Sequence, residues 1–214
     1  MAGNNESPTQ INYRPAQPED AHLASRLIFD SFPKTATFVF GLGDAQRAKA
    51  ILTGLFSQPG HRFSYQFTDI ATQGGQAVGL FLAYPGKGQF WLNYHFARLL
   101  IKQYHLIEKI KLIRRSLPMA FVQEAARDEY LLANLAVKKG RRNQGIGEQI
   151  LSHVEEKAQQ AGSQRVSLIV TLDNQKVRCF YERHGYKIKA IHPETNQRAG
   201  HLGPGYQRMV KELK

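Results

Sequence analysis

One stretch in the second half of the chain constrains the fold more than any other. An apolar segment at residues 130–137 predicts a buried strand, and a helical period of apolar residues extends to about residue 160. Between them, Arg142, Gly145 and Gly147 form the string R-x-x-G-x-G. A helix N-terminus offers unpaired N–H groups and a positive dipole end, and glycine lets an anion approach the backbone closely. The stretch therefore predicts a phosphate-binding turn.

The string by itself leaves an alternative open, because two glycines in a loop also fit a plain turn. It is not a Walker loop, since it lacks G-x-x-x-x-G-K-[ST], and it lacks the third glycine of the dinucleotide fingerprint. The functional interpretation rests on the strand before the turn and the helix after it.

The other segments predict alternating strands and helices. A strand at 10–15 precedes helices at 18–32 and 44–57, the second with Asp44 as its N-cap, and strand-like segments at 62–71 and 76–84 flank a Gly74-Gly75 turn. Beyond the central stretch we expect a strand at 165–171, a helix at 174–184 and strands at 187–191 and 206–213. A strand, helix, strand order implies parallel strands joined by a crossover helix, and thus a mixed α/β fold.

Residues 89–117 show a helical period that is broken at Gln103, and Pro118 is expected to end it. A basic amphipathic helix can lie on a membrane or on nucleic acid, or it can pack its apolar stripe on the core or over a cleft. We favour packing. The stripe consists of Leu92, Phe96, Leu99, Leu106, Ile110, Ile113 and Leu117, and the opposite side carries Lys102, Lys109, Lys111, Arg114 and Arg115.

The chain is basic, with 29 Lys and Arg against 17 Asp and Glu and a net charge of +12 among 214 residues. This excess favours an anionic partner without choosing among a phosphorylated cofactor, nucleic acid, an acidic protein and a membrane surface. The lone Cys179 excludes an internal disulfide, and we expect a soluble, cytoplasmic protein without a targeting segment. No histidine spacing is typical of metal ligands, so no metal is expected.

The segments LANLAV-KKG-RRNQGIGEQIL and LIVTLDNQKVRCFYERHGY resemble the GNAT N-acetyltransferase superfamily. The family's acetyl-CoA signature, Q/R-x-x-G-x-G/A after a bulged strand, matches Arg142, Gly145 and Gly147. Its second signature, an Asn at the head of the next crossover helix and then a Tyr before a GF or GY pair, matches Asn174, Tyr181 and Gly185-Tyr186. The motifs cover residues 130–191, and RPAQPEDA at residues 14–21 is similar to the family's usual opening.

This resemblance implies a single domain over residues 1–214 with the mixed α/β (α+β) GNAT fold, a central twisted mixed sheet flanked by helices. It places an acetyl-CoA-binding core at about residues 130–191 and an extra helical insertion at about 89–118, between the third and fourth strands. The insertion would cover the acceptor cleft. It also implies that acetyl-CoA is the co-substrate, and that its acetyl group passes to a primary amine of a small molecule or peptide by direct attack in a ternary complex.

The resemblance further implies roles for individual residues. The pantetheine arm would pair with main-chain groups of the bulged strand, and the pyrophosphate would rest on amides of the turn. Tyr181 would donate a proton to the departing thiolate, although it can also be a core aromatic, and Asn174 would bind pantetheine, although it can also be a plain N-cap. The implied cofactor-binding residues are Leu135, Ala136, Val137, Arg142, Asn143, Gln144, Gly145, Ile146, Gly147, Asn174 and Tyr181.

The sequence departs from the family at the general base. Several members place a glutamate in the bulged strand, where this chain has Leu131. Glu129 lies two residues earlier on the same strand face and is the substitute candidate. A solvated Glu129, with ordered water carrying the proton instead, stays open.

Several other interpretations remain at this point. Cys179 is expected to be a packed residue rather than a nucleophile. A non-catalytic acyl-CoA-binding regulator is the alternative function; nucleic acid is disfavoured as a partner and no membrane partner is expected. A homodimer, the identity of the amine and the length of the acyl donor are left open.

Overall fold

The computed structural model describes residues 10–120, 122–193 and 203–213, without the side chains of residues 118–120. The described residues form seven α-helices: α1 (Ala21–Ser31), α2 (Pro33–Val39), α3 (Ala45–Phe56), α4 (Gln89–Ile101), α5 (Leu106–Ala120), α6 (Ile146–Gln160) and α7 (Gln175–Arg183). They also form seven strands: β1 (Asn12–Pro15), β2 (Thr68–Gln73), β3 (Gln76–Pro85), β4 (Glu129–Val137), β5 (Arg165–Thr171), β6 (Lys187–Pro193) and β7 (Gly205–Glu212).

The strands form one sheet in the order β1-β2-β3-β4-β5-β7-β6. Strands β4 and β5 are parallel and are joined through α6, whereas the other neighbouring strands are antiparallel. The predicted mixed sheet flanked by helices is thus confirmed, and the helical insertion lies between the third and fourth strands as predicted.

Apolar side chains cover both faces of the sheet. Leu131 belongs to the cluster on the side of α1 to α5, and its neighbour Leu132 belongs to the cluster on the side of α6 and α7. This alternation follows from the pleat of a strand. The central strands are therefore buried from both sides, and a ligand can enter the sheet only where two strands separate.

Strand β4 contains a bulge. Leu82 of β3 pairs with Asn134 but the next residue, Ala83, pairs with Leu132, so Ala133 is an extra residue on β4. The bulge changes which residues face which side, because Leu131 before it and Ala136 after it belong to the same cluster. The bulged strand expected from the sequence is present.

Two local predictions are also confirmed. The Asp44 carboxylate caps α3 by accepting hydrogen bonds from the amides of Gln46 (2.7 Å) and Arg47 (3.2 Å). Gly74 and Gly75 turn the β2–β3 hairpin with φ values of +55° and +73°, which glycine adopts without strain.

Two predicted boundaries are wrong. The strand expected at 62–71 begins only at Thr68, because the preceding residues form local hydrogen bonds instead of a ladder: the amide of Phe63 donates to His61 Nδ1 and that of Gln66 to Ser64 Oγ. The helix expected to end at Phe32 is followed by the unpredicted α2, for which Pro33 supplies a favourable first residue.

The insertion differs from its prediction in three respects. It is two helices, α4 and α5, with a turn at residues 102–105 between them, and α5 continues past Pro118 to Ala120. Only the α4 part of the predicted stripe packs on the core, through Leu92, Phe96 and Leu99. The α5 part is exposed, because Leu112 is the side chain with which α5 packs.

Two absences hold for the described part of the chain. No helix in it is both long enough and apolar enough to cross a membrane. No three His, Cys, Asp or Glu side chains gather there in a position to hold a metal ion.

Candidate active site

The parallel strands β4 and β5 separate after a short contact. They pair at Glu129–Arg165, Tyr130–Val166 and Leu131–Ser167. Strand β4 then continues to Val137 without a ladder to β5, while its other edge stays paired with β3. In the described chain, main-chain groups of residues 132–137 therefore border an opening inside the sheet. Such an edge can pair with an extended, amide-containing ligand.

The turn between β4 and α6 places backbone amides at the end of this opening. Gly145 is the N-cap of α6 with φ +74°, and Asn143 is also left-handed with φ +62°. The first helical hydrogen bonds come from the amides of Glu148 and Gln149, which donate to the Gly145 carbonyl. The amides of residues 145–147 thus lie in the first turn, where a helix has no acceptors for them. An anion is stabilised at such a position by these donors and by the helix dipole.

Arg142 fixes this turn to the strand before it. Its Nε donates a hydrogen bond to the Val137 carbonyl over 3.1 Å, and its side chain is otherwise exposed. The last residue of β4 and the phosphate-binding turn are thereby held together. This hydrogen bond links the predicted pantetheine edge to the predicted pyrophosphate site.

Gly145 and Gly147 of the turn differ in the reason for which glycine is needed. The positive φ of Gly145 favours glycine by itself. Gly147 has no positive φ, and an added Cβ would meet the Phe180 ring at 3.7 Å, an ordinary van der Waals distance. Neither the backbone conformation nor crowding within the protein requires glycine at position 147. A ligand that approaches the amide closely would require it.

Tyr181 of α7 lies near this surface. It is 7% exposed, and its ring centroid lies 5.1 Å from that of Phe180 and 5.5 Å from that of Tyr186. Leu135 and Val137 pack on the same apolar cluster. Burial raises the pKa of the Tyr181 phenol. The phenol therefore keeps its proton at neutral pH.

Asn174 caps α7. Its Oδ1 accepts a hydrogen bond from the amide of Val177 over 3.3 Å. The plain N-cap role that the sequence left open is therefore present in the structure. A contact of Asn174 with a cofactor stays a prediction.

Glu129 is not the solvated residue that the sequence left open as an alternative. It is 2% exposed and forms an ion pair with Arg208, with Arg165 3.9 Å away. It also accepts a hydrogen bond from the amide of Ala126 over 2.7 Å. Because its carboxylate is buried among these partners, we do not retain Glu129 as the base.

Two polar residues that the sequence analysis missed flank Leu131. Tyr84 of β3 and Ser167 of β5 are its neighbours in the sheet. Within the described residues, both hydroxyl groups are buried without a hydrogen-bond partner. Burial raises the pKa of Tyr84 to about 12, so its phenol is also protonated at neutral pH. Tyr84 resembles a core aromatic in the sequence, whereas a serine amid the apolar residues of β5 was a usable signal.

Comparison with known proteins agrees with this geometry. Residues 103–188 match the family model of the acetyltransferase (GNAT) domain. A segment of 62 residues is 44% identical to the uncharacterized protein YdhI of Bacillus subtilis (strain 168). This match covers 29% of the present chain and 39% of YdhI, so the chain spans about two fifths of that relative.

Solved structures share the fold. An N-acetyltransferase from Staphylococcus aureus Mu50 superposes with a TM-score of 0.71 at 18% identity, covering 93% of this chain and 99% of that one. A further acetyltransferase crystal structure gives a TM-score of 0.63 at 21% identity, with 95% and 100% covered. At these identities the likeness concerns the fold, while the family match concerns the sequence. Residues 103–188 therefore match a GNAT acetyltransferase domain in sequence, and the described chain shares its fold with solved acetyltransferases.

Proposed function

We propose that this chain is an acetyl-CoA-dependent N-acetyltransferase that acetylates a primary amine by direct attack within a ternary complex. The observation that carries the proposal is the opening between β4 and β5, which leads to a helix N-terminus. At that N-terminus, neither the backbone conformation nor packing requires glycine at position 147. We infer one domain. Cys179, expected to be packed, is exposed instead, and a lone thiol suits the reducing cytoplasm.

Binding would use the main chain more than side chains. Leu135, Ala136 and Val137 would offer their backbone groups to the pantetheine arm, while their side chains stay in the two apolar clusters. The amides of residues 143–147 would hold the pyrophosphate. Arg142, which already fixes the turn, would add a positive charge beside it.

The chemistry would be shared among few residues. Acetyl-CoA supplies the acetyl group as a thioester. A backbone N–H of β4 near Leu135 would hydrogen-bond the developing oxyanion, and Tyr181 would give its proton to the departing thiolate. The buried position of Tyr181 keeps that proton in place until it is needed.

The proton of the incoming amine needs a different path, because Leu131 is apolar and Glu129 is held by arginine. Tyr84 and Ser167 flank Leu131 in the sheet, and a buried hydroxyl without a partner is costly. We propose that these two groups hold a water molecule that accepts the proton of the amine. They would thus be positioning residues.

The charged residues near the start of β4 influence which kind of amine is favoured as the acceptor. Glu124 is 2.8 Å from Arg62, and the carboxylates of Asp128 and Glu129 pair with Arg165 and Arg208. These three acidic residues are thus already neutralised, in a chain of net charge +12. A weakly charged or zwitterionic amine, or a peptide N-terminus with acidic neighbours, is favoured over a polycation.

A second function is supported by the missing carboxylate at Leu131: a regulator that binds acyl-CoA without turnover. One experiment separates the two. Purified protein is mixed with acetyl-CoA and a panel of amines, and free thiol and acetylated product are both measured, with calorimetry of acetyl-CoA binding alongside. Product formation above the protein-free rate supports the enzyme. Tight binding with no product from any amine supports the regulator.

A further inference from the structure

The outer face of α5 carries an unusual surface for a helix that is attached to a core. Five large aliphatic side chains there are between 53% and 77% exposed. They recur at helical spacing and so lie along one side of the helix. We call this set the α5 stripe; it consists of Leu106, Ile107, Ile110, Ile113 and Leu117.

The opposite side of α5 is firmly attached to the domain. Leu112 is 4% exposed, and the Glu108 carboxylate accepts two hydrogen bonds from Arg47, at 2.6 and 2.8 Å. Arg115 donates to the Phe38 carbonyl over 2.7 Å. At 3.6 residues per turn, Glu108, Leu112 and Arg115 point away from the α5 stripe. The stripe is therefore exposed because α5 contacts the domain through its opposite side.

The stripe is also the main part of a wider concentration of exposed apolar groups. Of the ten large hydrophobic side chains that are exposed in the described chain, eight lie between residues 90 and 117. The three on α4 are Phe90, Trp91 and Tyr94, each at least 47% exposed. Scattered apolar side chains are ordinary on a protein surface, but a contiguous set marks a site of interaction.

The charge of the same region selects the partner. From residue 89 to 120 there are six basic residues and one acidic residue, Glu108, which is paired with Arg47. Lys109 and Lys111 flank the α5 stripe on its two sides. Two copies of this region would repel each other, and a nucleic acid offers no aliphatic surface to cover five aliphatic side chains. An anionic lipid bilayer provides both an apolar layer and negative headgroups.

We propose that the α5 stripe docks on the surface of an anionic bilayer, with its apolar side chains among the acyl chains and Lys109 and Lys111 at the headgroups. The helix would lie in the plane of the interface rather than cross the membrane. In the sequence analysis a membrane contact was the alternative to packing on the core or over a cleft, and packing was favoured for four of these five side chains, without Ile107. It does not depend on the proposed catalytic activity.

Flotation with lipid vesicles tests the proposal. The full chain is mixed with vesicles of phosphatidylcholine alone, or of equal parts phosphatidylcholine and phosphatidylglycerol. A double variant, Ile110→Glu with Ile113→Glu, removes the centre of the stripe. The matched control is Ile188→Glu with Ile191→Glu, which makes the same changes at two exposed isoleucines of β6. Circular dichroism and thermal unfolding monitor the folding of all three proteins.

The parent and the control should float with the anionic vesicles and not with the neutral ones, and the stripe variant should stay in solution. Equal flotation of both folded variants would overturn the proposal, because the contact would then be non-specific attraction by net charge. The absence of parent binding would also overturn it. A parent that forms a dimer disrupted by the stripe changes would assign the surface to a second copy instead.

Discussion

Leu131 of β4 lies opposite Ser167 of β5, and this is the last pair that joins the two parallel strands. Beyond it the strands separate, and the edge of β4 becomes available up to the turn that begins α6. The proposed site for the proton of the amine and the proposed site for pantetheine therefore begin at the same point in the sheet.

Tyr181→Phe should lower the chemical rate by roughly 10² to 10⁴ and leave acetyl-CoA affinity unchanged, because only the proton donor is lost. Single-turnover kinetics and calorimetry measure the two quantities. The matched control is Tyr186→Phe in the same cluster, whose hydroxyl donates to Glu155 over 3.2 Å. Tyr186→Phe should lower the free energy of unfolding and leave the chemical rate unchanged. Equal single-turnover rates for Tyr181→Phe and the parent would remove Tyr181 from the mechanism.

The pH dependence of this rate has a definite sign. Burial raises the pKa of Tyr181, so the phenol remains a donor throughout the range in which amines lose their protons. The rate should therefore rise with pH as the acceptor becomes neutral, without falling before about pH 10. A rate that declines at a lower pH in the parent, but not in Tyr181→Phe, would show Tyr181 to be the donor and contradict its raised pKa, whereas the same decline in both proteins would assign it to another group.

Tyr84→Phe should separate stability from activity. Removal of a buried hydroxyl that forms no hydrogen bond with the protein should leave the free energy of unfolding unchanged or raise it by about 1 kcal/mol. The control Tyr104→Phe removes a hydroxyl that donates to the Phe40 carbonyl and should lose about 1 kcal/mol. Denaturant unfolding measures both. If Tyr84 helps to hold the proton-accepting water, its variant should also turn over more slowly, and an unchanged rate would remove it from that role.

His61 should make stability depend on pH below neutrality. Burial lowers its pKa, and the ring is held by the Leu55 carbonyl, 2.8 Å from Nε2, and by the amide of Phe63. The folded state therefore favours the neutral ring, while the unfolded chain takes up a proton below about pH 6.5. Stability should fall as the pH drops below about 6.5 toward the folded-state pKa. Thermal unfolding should show a shallower slope in His61→Gln, and an unchanged slope would contradict this assignment.

The fold could be predicted from the sequence where local signals and burial agree. The predicted bounds of β5 are those of the structure, since an apolar run between polar residues has one stable position in a sheet. The α5 stripe was misassigned because helical spacing reveals that a helix has an apolar side without revealing whether a core faces it. Leu112, the side chain that packs, stands outside the predicted stripe.

The candidate site was predictable only where it is local in sequence. The turn at residues 142–147 is one continuous segment, so its motif and its geometry coincide. Tyr84 and Ser167 are 83 positions apart, and only the sheet register places each of them beside Leu131. The ion pair between Glu129 and Arg208 likewise forms only in the folded chain. It occupies the carboxylate that the sequence suggested as a base.

The preferred charge of the amine acceptor is predicted from the pairing of nearby acidic residues. Because Glu124, Asp128 and Glu129 are paired with arginines, a zwitterionic amine or a peptide with an acidic second residue should have a higher kcat/KM than spermidine or a lysine-rich peptide. The difference should shrink as salt screens the repulsion, since the Debye length is about 8 Å at physiological ionic strength. An amine panel at two salt concentrations measures this. Spermidine as the best acceptor would show that local placement outweighs net charge.

The central claim is that the N-terminus of α6 holds the pyrophosphate of acetyl-CoA, and Gly147→Glu tests it most directly. A Cβ is accommodated at this position, and a carboxylate at a helix N-terminus stabilises the helix, so the variant should fold at least as well as the parent. The control Gly54→Glu introduces the same side chain at an exposed glycine of α3, where a Cβ meets nothing within 4 Å. Thermal unfolding establishes that each variant is folded.

Calorimetric titration with acetyl-CoA is the deciding measurement. The parent and Gly54→Glu should bind with the same affinity. Gly147→Glu should bind at least tenfold more weakly, a loss of about 1.4 kcal/mol or more, because its carboxylate occupies the position of the phosphates and repels them. A folded Gly147→Glu protein that binds acetyl-CoA as tightly as the parent would place the phosphate site elsewhere and contradict the account.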